Sequence, residues 1–256
     1  MKLKVCVWTD PGYVRERNED AFLVMEEQGL FIVADGMGGH LSGDEASRLA
    51  VETVRKWFEG EGPKEENGIE RLKGLLGLKT NSEVELYRAL EEANRKVYEL
   101  GKLRDPKRGI GTTIVAGLIH GSTLFIAYSG DSRAYRYRGG RLTQLTEDHS
   151  LLNQYLKEHR ITQKEAPFFP YRSVIVKALG LFPECQAEFR RTRIKPGDIY
   201  LFCTDGLTDM VNDEGISMIL EQNKDFDHLC VELVDAALSM GGLDNITVLA
   251  IKILEV

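Results

Sequence analysis

Leu30-Phe31-Ile32-Val33-Ala34-Asp35-Gly36-Met37-Gly38-Gly39-His40 decides the fold. Its first five residues are an unbroken apolar run, which reads as a strand lying centrally in its sheet. Asp35-Gly36 ends that run as a turn pair, and the glycine-rich stretch leads into helical spacing from Ser42 to Phe58. There Ala46, Leu49, Ala50, Val54, Trp57 and Phe58 share one face. Asp44 and Glu45 fall in the first turn, where acids suit the helix dipole.

Upstream, Ala21 to Glu26 reads as a second strand, joined to the first by a short loop with Gln28 and Gly29. Leu3, Val5 and Val7 alternate with Lys4 and Cys6, the pattern of a half-buried strand. Downstream, Glu59 to Asn81 is a Gly-, Lys- and Glu-rich break, expected to be a surface connection with one short helix near Ile69 to Leu76. Ser82 with Glu85 suggests a capping box ahead of a helix striped by Leu86, Leu90, Ala93, Val97 and Leu100. Strands are expected at Thr112–Ile119, Thr123–Ser129, Val174–Leu179, Ala187–Arg193, Ile199–Cys203 and Ile246–Ile253, with a hairpin around Gly139-Gly140. Leu151 to His159 reads as a short helix, Thr162 with Glu165 as a second capping box, and two helices fill much of Asn212 to Met240. This order is not a regular βαβ alternation. It predicts an α+β fold, antiparallel sheets with helices on their outer faces.

The 256 residues are 43% hydrophobic and 29% charged, as in ordinary globular proteins. No apolar run approaches the ~18 residues of a membrane span, and Met1 to Asp10 carries no charged-then-apolar leader. A cytoplasmic location and no membrane partner are expected. The net charge of −7 argues against nucleic acid as a partner. Cys6, Cys185, Cys203 and Cys230 form no CxxC or zinc pattern and read as reduced, mostly buried thiols.

One pattern recurs: an apolar strand runs into an aspartate followed by a small residue. Phe31 to Ala34 leads to Asp35-Gly36, Phe125 to Gly130 to Asp131-Ser132, and Tyr200 to Thr204 to Asp205-Gly206. Gly241-Gly242-Leu243 precedes Asp244-Asn245, which opens the last strand. Each alone is a common turn dipeptide. Four together, with Glu19 and Asp20, suggest carboxylates converging at one edge of a sheet, where they repel unless a cation neutralises them. Oxygen donors without a Cys or His cluster suit magnesium or manganese. Gly36 would let a backbone carbonyl approach such an ion. Arg15, just ahead of Asn18-Glu19-Asp20, either balances these acids or offers its planar fork to a phosphate.

With these residues in place the chain resembles the metal-dependent protein serine/threonine phosphatases of the type-2C class, in their compact bacterial form. The resemblance rests on Thr9-Asp10, Gly12, Arg15 and Asn18-Glu19-Asp20, then Val33 to His40, Gly111-Thr112-Thr113 and Ser129 to Arg133. Asp148-His149-Ser150, Ala178-Leu179-Gly180, Thr204-Asp205-Gly206 and Asp244 to Val248 complete it. The order and spacing of these segments are more specific than any one of them. The resemblance implies a single phosphatase domain over residues 1–256, a four-layer α-β-β-α sandwich with a flap at about 149–177. It implies two divalent cations, Mn2+ or Mg2+, and a third, weaker one. Asp35 would bridge two of them, Asp205 and Asp244 hold the first, and the Gly36 carbonyl the second. Glu19 and Asp20 would act through bound waters, Asp131 at the third ion, and Arg15 on the phosphate. Departures from the family pattern are Lys177 for an arginine, His159-Arg160 for a flap glycine, and Ile110 for a methionine.

The implied reaction is attack of a metal-bridging hydroxide on phosphoserine and phosphothreonine esters, reversing Ser/Thr kinase signalling. Phosphorylated proteins are the expected substrates, a Ser/Thr kinase a further partner, and a monomer the expected state. His40 is a candidate proton donor to the leaving serine, and equally a substrate contact or helix-start residue. His149 reads as structural at the flap base. The alternative is a non-catalytic signalling module on the same fold, which predicts a broken acid set.

Overall fold

The computed structural model describes residues 1–38, 42–62, 80–107 and 109–256. Among them two antiparallel sheets face each other. The first has the order β1 (Lys2–Asp10), β11 (Ile246–Glu255), β10 (Ile199–Cys203), β7 (Arg133–Arg138), β8 (Arg141–Gln144). The second runs β2 (Asp20–Met25), β3 (Leu30–Met37), β5 (Ile114–His120), β6 (Thr123–Ser129), β9 (Glu188–Arg193), with the two-residue β4 (Gly111–Thr112) added on β3. Helices α1 (Gly43–Lys56) and α2 (Asn81–Arg104) cover the second sheet, and α5 (Asp213–Gln222) and α6 (Leu229–Ser239) cover the first. The short helices α3 (Leu151–Lys157) and α4 (Asp205–Thr208) lie in the connections.

Three apolar layers follow from strand alternation. Phe31 and Val33 point between the sheets with Val115, Ile126 and Tyr128, meeting Tyr200, Phe202, Leu249 and Ile251. Leu30, Ile32 and Ala34 point the other way, onto Ala46, Ala50 and Val54 of α1 and Leu86, Leu90 and Ala93 of α2. This explains the unbroken apolar run: β3 has no wet face. Leu201, Cys203, Val248 and Ala250 form the third layer with Ile216, Leu220, Leu233 and Val234.

The architecture is the expected α-β-β-α sandwich, with local differences. The capping box belongs to Thr80 and Glu83 rather than Ser82 and Glu85: the Thr80 hydroxyl accepts from Glu83 N, and the Glu83 carboxylate accepts from Thr80 N. The expected strand at Val174–Leu179 is absent. Ile175 and Leu179 make only isolated bridges, to Ser150 and Thr112. Thr113 separates β4 from β5 because its backbone and side chain serve Asp35 instead of a ladder. At Thr162 and Glu165 only half of the expected box forms: Thr162 N and its hydroxyl both donate to the Glu165 carboxylate, while Glu165 N bonds the Thr162 carbonyl, and only a 3-10 turn, Ala166–Phe168, follows, where Pro167 removes a backbone donor. The helix expected at 69–76 falls outside the described residues.

Candidate active site

The loop after β1 and the ends of β2, β3, β6, β10 and β11 meet at one end of the gap between the sheets. The loop after β1 is tied down by Asn245, whose side-chain amide donates to the Pro11 and Arg17 carbonyls and accepts from Glu19 N. Tyr13 N donates to the Gly242 carbonyl at 2.8 Å. This fixes Arg15 beside Asp244, with Nη2 2.6 Å from Oδ2. The guanidinium remains about half exposed, at 54%.

Asp20 opens β2 directly opposite Asp35 of β3. Its Oδ2 accepts from Thr247 Oγ1 at 2.6 Å and Thr204 Oγ1 at 2.9 Å, and Thr9 in turn bonds Thr247. Asp35 is held through its backbone: its N donates to Thr113 Oγ1, and its carbonyl accepts from Thr113 N and Thr112 Oγ1. Asp205 starts α4, and Asp209 stands one turn later on the same helix. Asp131 follows β6. Its neighbour Arg133 does not neutralise it, because that guanidinium grips Asp148, with Nη2 at 2.6 Å.

Gly36 owes its identity to close approach. A Cβ there would lie 2.0 Å from the Gly43 carbonyl oxygen and 2.8 Å from that of Glu19. A Cβ on Gly43 would in turn meet Glu19 Oε2 at 2.5 Å and the Gly36 carbonyl at 2.8 Å. The two glycines therefore bring the start of α1 against β3 and leave the Glu19 carboxylate and Gly36 carbonyl side by side. Backbone contact with the start of α1 by itself requires glycine at 36.

Burial without counter-charge pushes these carboxyls up. Asp20 reaches about 7, despite the two threonine hydroxyls that favour its charged form. Asp131 reaches about 8, from burial and then Asp205 and Asp148. Asp205 reaches about 6, from burial and then Asp209 and Asp244. Asp35 rises well above the carboxylate range through burial and then Asp20, Asp205, Asp131 and Asp244. Glu19 rises through burial and Asp44.

Three buried oxygens, Asp20 Oδ1, Asp131 Oδ1 and Asp205 Oδ1, have no hydrogen-bond partner among the described residues. Unpaired buried carboxylate oxygens are costly. An all-oxygen set of this kind fits hard divalent cations. No three of the described acids already close around a single point. Instead Asp244 is turned onto Arg15. A guanidinium thus does for Asp244 what a cation would do.

A test follows with a definite sign. Unfolded, these carboxyls lose their protons near ~4; folded, Asp205, Asp20 and Asp131 keep theirs to about 6, 7 and 8. The folded state binds more protons in that window, so the metal-free protein loses stability as pH rises through it. We expect a lower Tm in chelator at about pH 8 than at about pH 5.5. Manganese at the higher pH should raise Tm and release protons, measurable by calorimetry in buffers of different ionisation heat. A metal-free Tm that climbs between those pH values would show the acids to be ion-paired.

The structure brings together Arg15, Glu19, Asp20, Asp35, Gly36, Asp131, Asp205 and Asp244. They converge at the mouth between two sheets, not along one sheet's edge, because β3 and β6 belong to one sheet and β10 and β11 to the other. His40 lies outside the described residues. Asp209, Thr204, Thr247 and Asn245 were not singled out from sequence as parts of the site. Asp209 had a signal, its one-turn spacing from Asp205. The threonines and Asn245 act across 184 to 234 positions, which no local pattern reveals.

Residues 13–237 match the family described as Protein phosphatase 2C. The serine/threonine phosphatase stp of Listeria welshimeri is 33% identical over 249 residues, covering 95% of this chain and 93% of that protein. The crystal structure of the Mycobacterium tuberculosis serine/threonine phosphatase PstP/Ppp superposes with a TM-score of 0.83 at 33% identity, covering 99% of both chains. A PstP catalytic domain in complex with two manganese ions gives 0.81 at 31% identity, again covering 99% of each.

Proposed function

Because the chain belongs to the protein phosphatase 2C family, we propose that the eight residues gathered at the sandwich mouth carry its reaction. The protein is a metal-dependent serine/threonine protein phosphatase using two divalent cations, and phosphoproteins are its substrates. The observation that carries the site assignment is the set of unpaired buried oxygens on Asp20, Asp131 and Asp205, gathered around Asp35. The alternative of a non-catalytic module required a broken acid set, and Asp35, Asp205 and Asp244 are all present.

Asp35, Asp205 and Asp244 would hold the first cation, Asp35 and the Gly36 carbonyl the second, with Glu19 and Asp20 contributing through water. When bound, the cations supply charge neutralisation and water activation. The chain's own residues do the positioning. Thr204 and Thr247 hold Asp20 in one orientation, so that its free oxygen faces the mouth. Arg15 exchanges Asp244 for the substrate: once Asp244 turns to a cation, the guanidinium fork is free for two phosphate oxygens. His40 is proposed to protonate the leaving serine or to contact the substrate.

Residues 149–177 are proposed as the flap. The excursion is closed at its base by Val176 N on the His149 carbonyl and Leu151 N on that of Val174, both at 2.8 Å. His149 Nδ1 accepts from Gly130 N at 3.1 Å, its ring stacks on Tyr128 at 5.3 Å, and Nε2–H faces Glu188, which Lys177 also holds. These contacts support the structural role expected of His149. His159, in place of a flap glycine, sits at φ 55°, the left-handed region that favours glycine. Action against a Ser/Thr kinase in the cytoplasm, as a monomer, is part of the same proposal; no described helix is long and apolar enough to cross a membrane.

The deciding assay is release of phosphate from a phosphothreonine peptide with manganese, abolished by chelator. For Asp131, Asp131→Ala should keep two tight metals, lose a weaker one, and lower phosphopeptide turnover by roughly tenfold or more. Titration calorimetry on the variant checks it. Full activity with an unchanged metal count would leave Asp131 as a turn residue.

A further inference from the structure

Cys6 and Cys230 are separated by 224 positions, yet their Sγ atoms lie 2.6 Å apart. Cys6 is in mid-β1, opposite Ala250 of β11, and points toward the helical layer. Cys230 occupies the first turn of α6 and is 1% exposed; Cys6 is 8% exposed. Both belong to one apolar cluster, with Leu229, Leu233, Val248 and Ala250 around them. Thiols in such a layer need no polar partner, so nothing in core formation requires two sulfurs to face each other. The same interface carries an exposed Lys4–Asp227 pair at 3.2 Å, which ties β1 to the turn before α6 just ahead of both cysteines.

We propose that Cys6 and Cys230 form a modification site: under oxidising conditions they join as a disulfide that ties β1 to α6. The oxidant is a low-molecular-weight disulfide, R–S–S–R. The Cys6 thiolate attacks one of its sulfurs and expels R–S−, giving a mixed disulfide. The Cys230 thiolate then attacks the Cys6 sulfur and expels the second R–S−. The two cysteines lose two protons and two electrons, and the oxidant leaves as two thiols. The order follows from access, since Cys6 is the less buried of the two sulfurs. A hydrogen bond from Cys230 holds Cys6 below the ordinary thiol range, whereas burial drives Cys230 up. Because both sulfurs are buried, the exchange takes place during folding or on local opening of α6. A bridge across so long a loop strongly restricts the unfolded chain.

The experiment refolds the full chain with oxidised glutathione and, in parallel, with a phosphine reductant. Two of the four thiols should become unreactive to alkylation in denaturant. The intact mass should fall by about 2 mass units, for the two hydrogens lost. Non-reducing peptide mapping should link the Cys6 and Cys230 peptides. Tm should rise by roughly 5–15 °C on oxidation, and this rise should vanish in Cys6→Ala and in Cys230→Ala. If either variant fails to fold, the wild-type mass and map decide alone. Four reactive thiols after oxidation, or a bridge through Cys185 or Cys203, would overturn the proposal.

Discussion

Asp35→Asn and Asp205→Asn each lose roughly 10³-fold or more in phosphopeptide turnover, yet in chelator at about pH 8 they melt higher than the wild type. The two effects have one cause. Asp35 faces Asp20, Asp205, Asp131 and Asp244 across a buried mouth, and burial and these neighbours together hold its proton on. An amide is nearly isosteric and neutral. It removes from the metal-free fold the cost of keeping a carboxyl protonated, and from the loaded enzyme one charged ligand. A merely structural aspartate would behave the other way, since losing its hydrogen bonds lowers Tm. Turnover assays with saturating and limiting manganese, paired with melting curves in chelator, separate the cases. Activity recovered by raising manganese would point to weakened affinity; activity near wild type at limiting metal would remove the ligand assignment.

Arg15→Ala raises KM on phosphopeptides by roughly 30- to 1,000-fold, while metal affinity holds or improves. The fold-change corresponds to about 2–4 kcal/mol, within the range for removing one partner of a charged, hydrogen-bonded pair. Its improved metal binding follows from the ground state: Nη2 sits 2.6 Å from Asp244 Oδ2, so without Arg15 that carboxylate is free. Asn245 and the Gly242 carbonyl, not the guanidinium, hold the loop, so the fold should tolerate the change. Inhibition by inorganic phosphate should weaken in parallel with KM. Tighter metal binding with KM and phosphate inhibition unchanged would make Arg15 a counter-ion to Asp244 and no more.

The layers were legible because β3 carries the signature of a doubly covered strand, and α1 and α2 carry single apolar stripes. The start of α2 was misread by two residues because Thr80–Glu83 and Ser82–Glu85 both fit the capping pattern, and only the folded chain chooses between them. Asp35, Asp131, Asp205 and Asp244 were visible as acids ending or opening apolar strands. That two sheets supply them was not, since sheet membership is fixed by long-range pairing. The same limit hid Arg133's preference for Asp148 over Asp131, the threonines under Asp20, and the Cys6–Cys230 approach.

The position of β11 between β1 and β10 sets a timetable for synthesis. Every strand of the second sheet precedes residue 194, so that half can assemble early as the chain leaves the ribosome. Among the described strands β1 emerges ahead of the others, and its neighbour β11 is the last of them, paired from Lys2↔Glu255 to Asp10↔Ile246. Until residues 246–255 emerge, β1 and β10 each present a bare edge, the condition under which nascent chains misassociate. Asp244 arrives just ahead of that strand. A nascent chain therefore lacks part of the proposed ligand set until Asp244 has emerged, and phosphatase activity reports that the first sheet has closed.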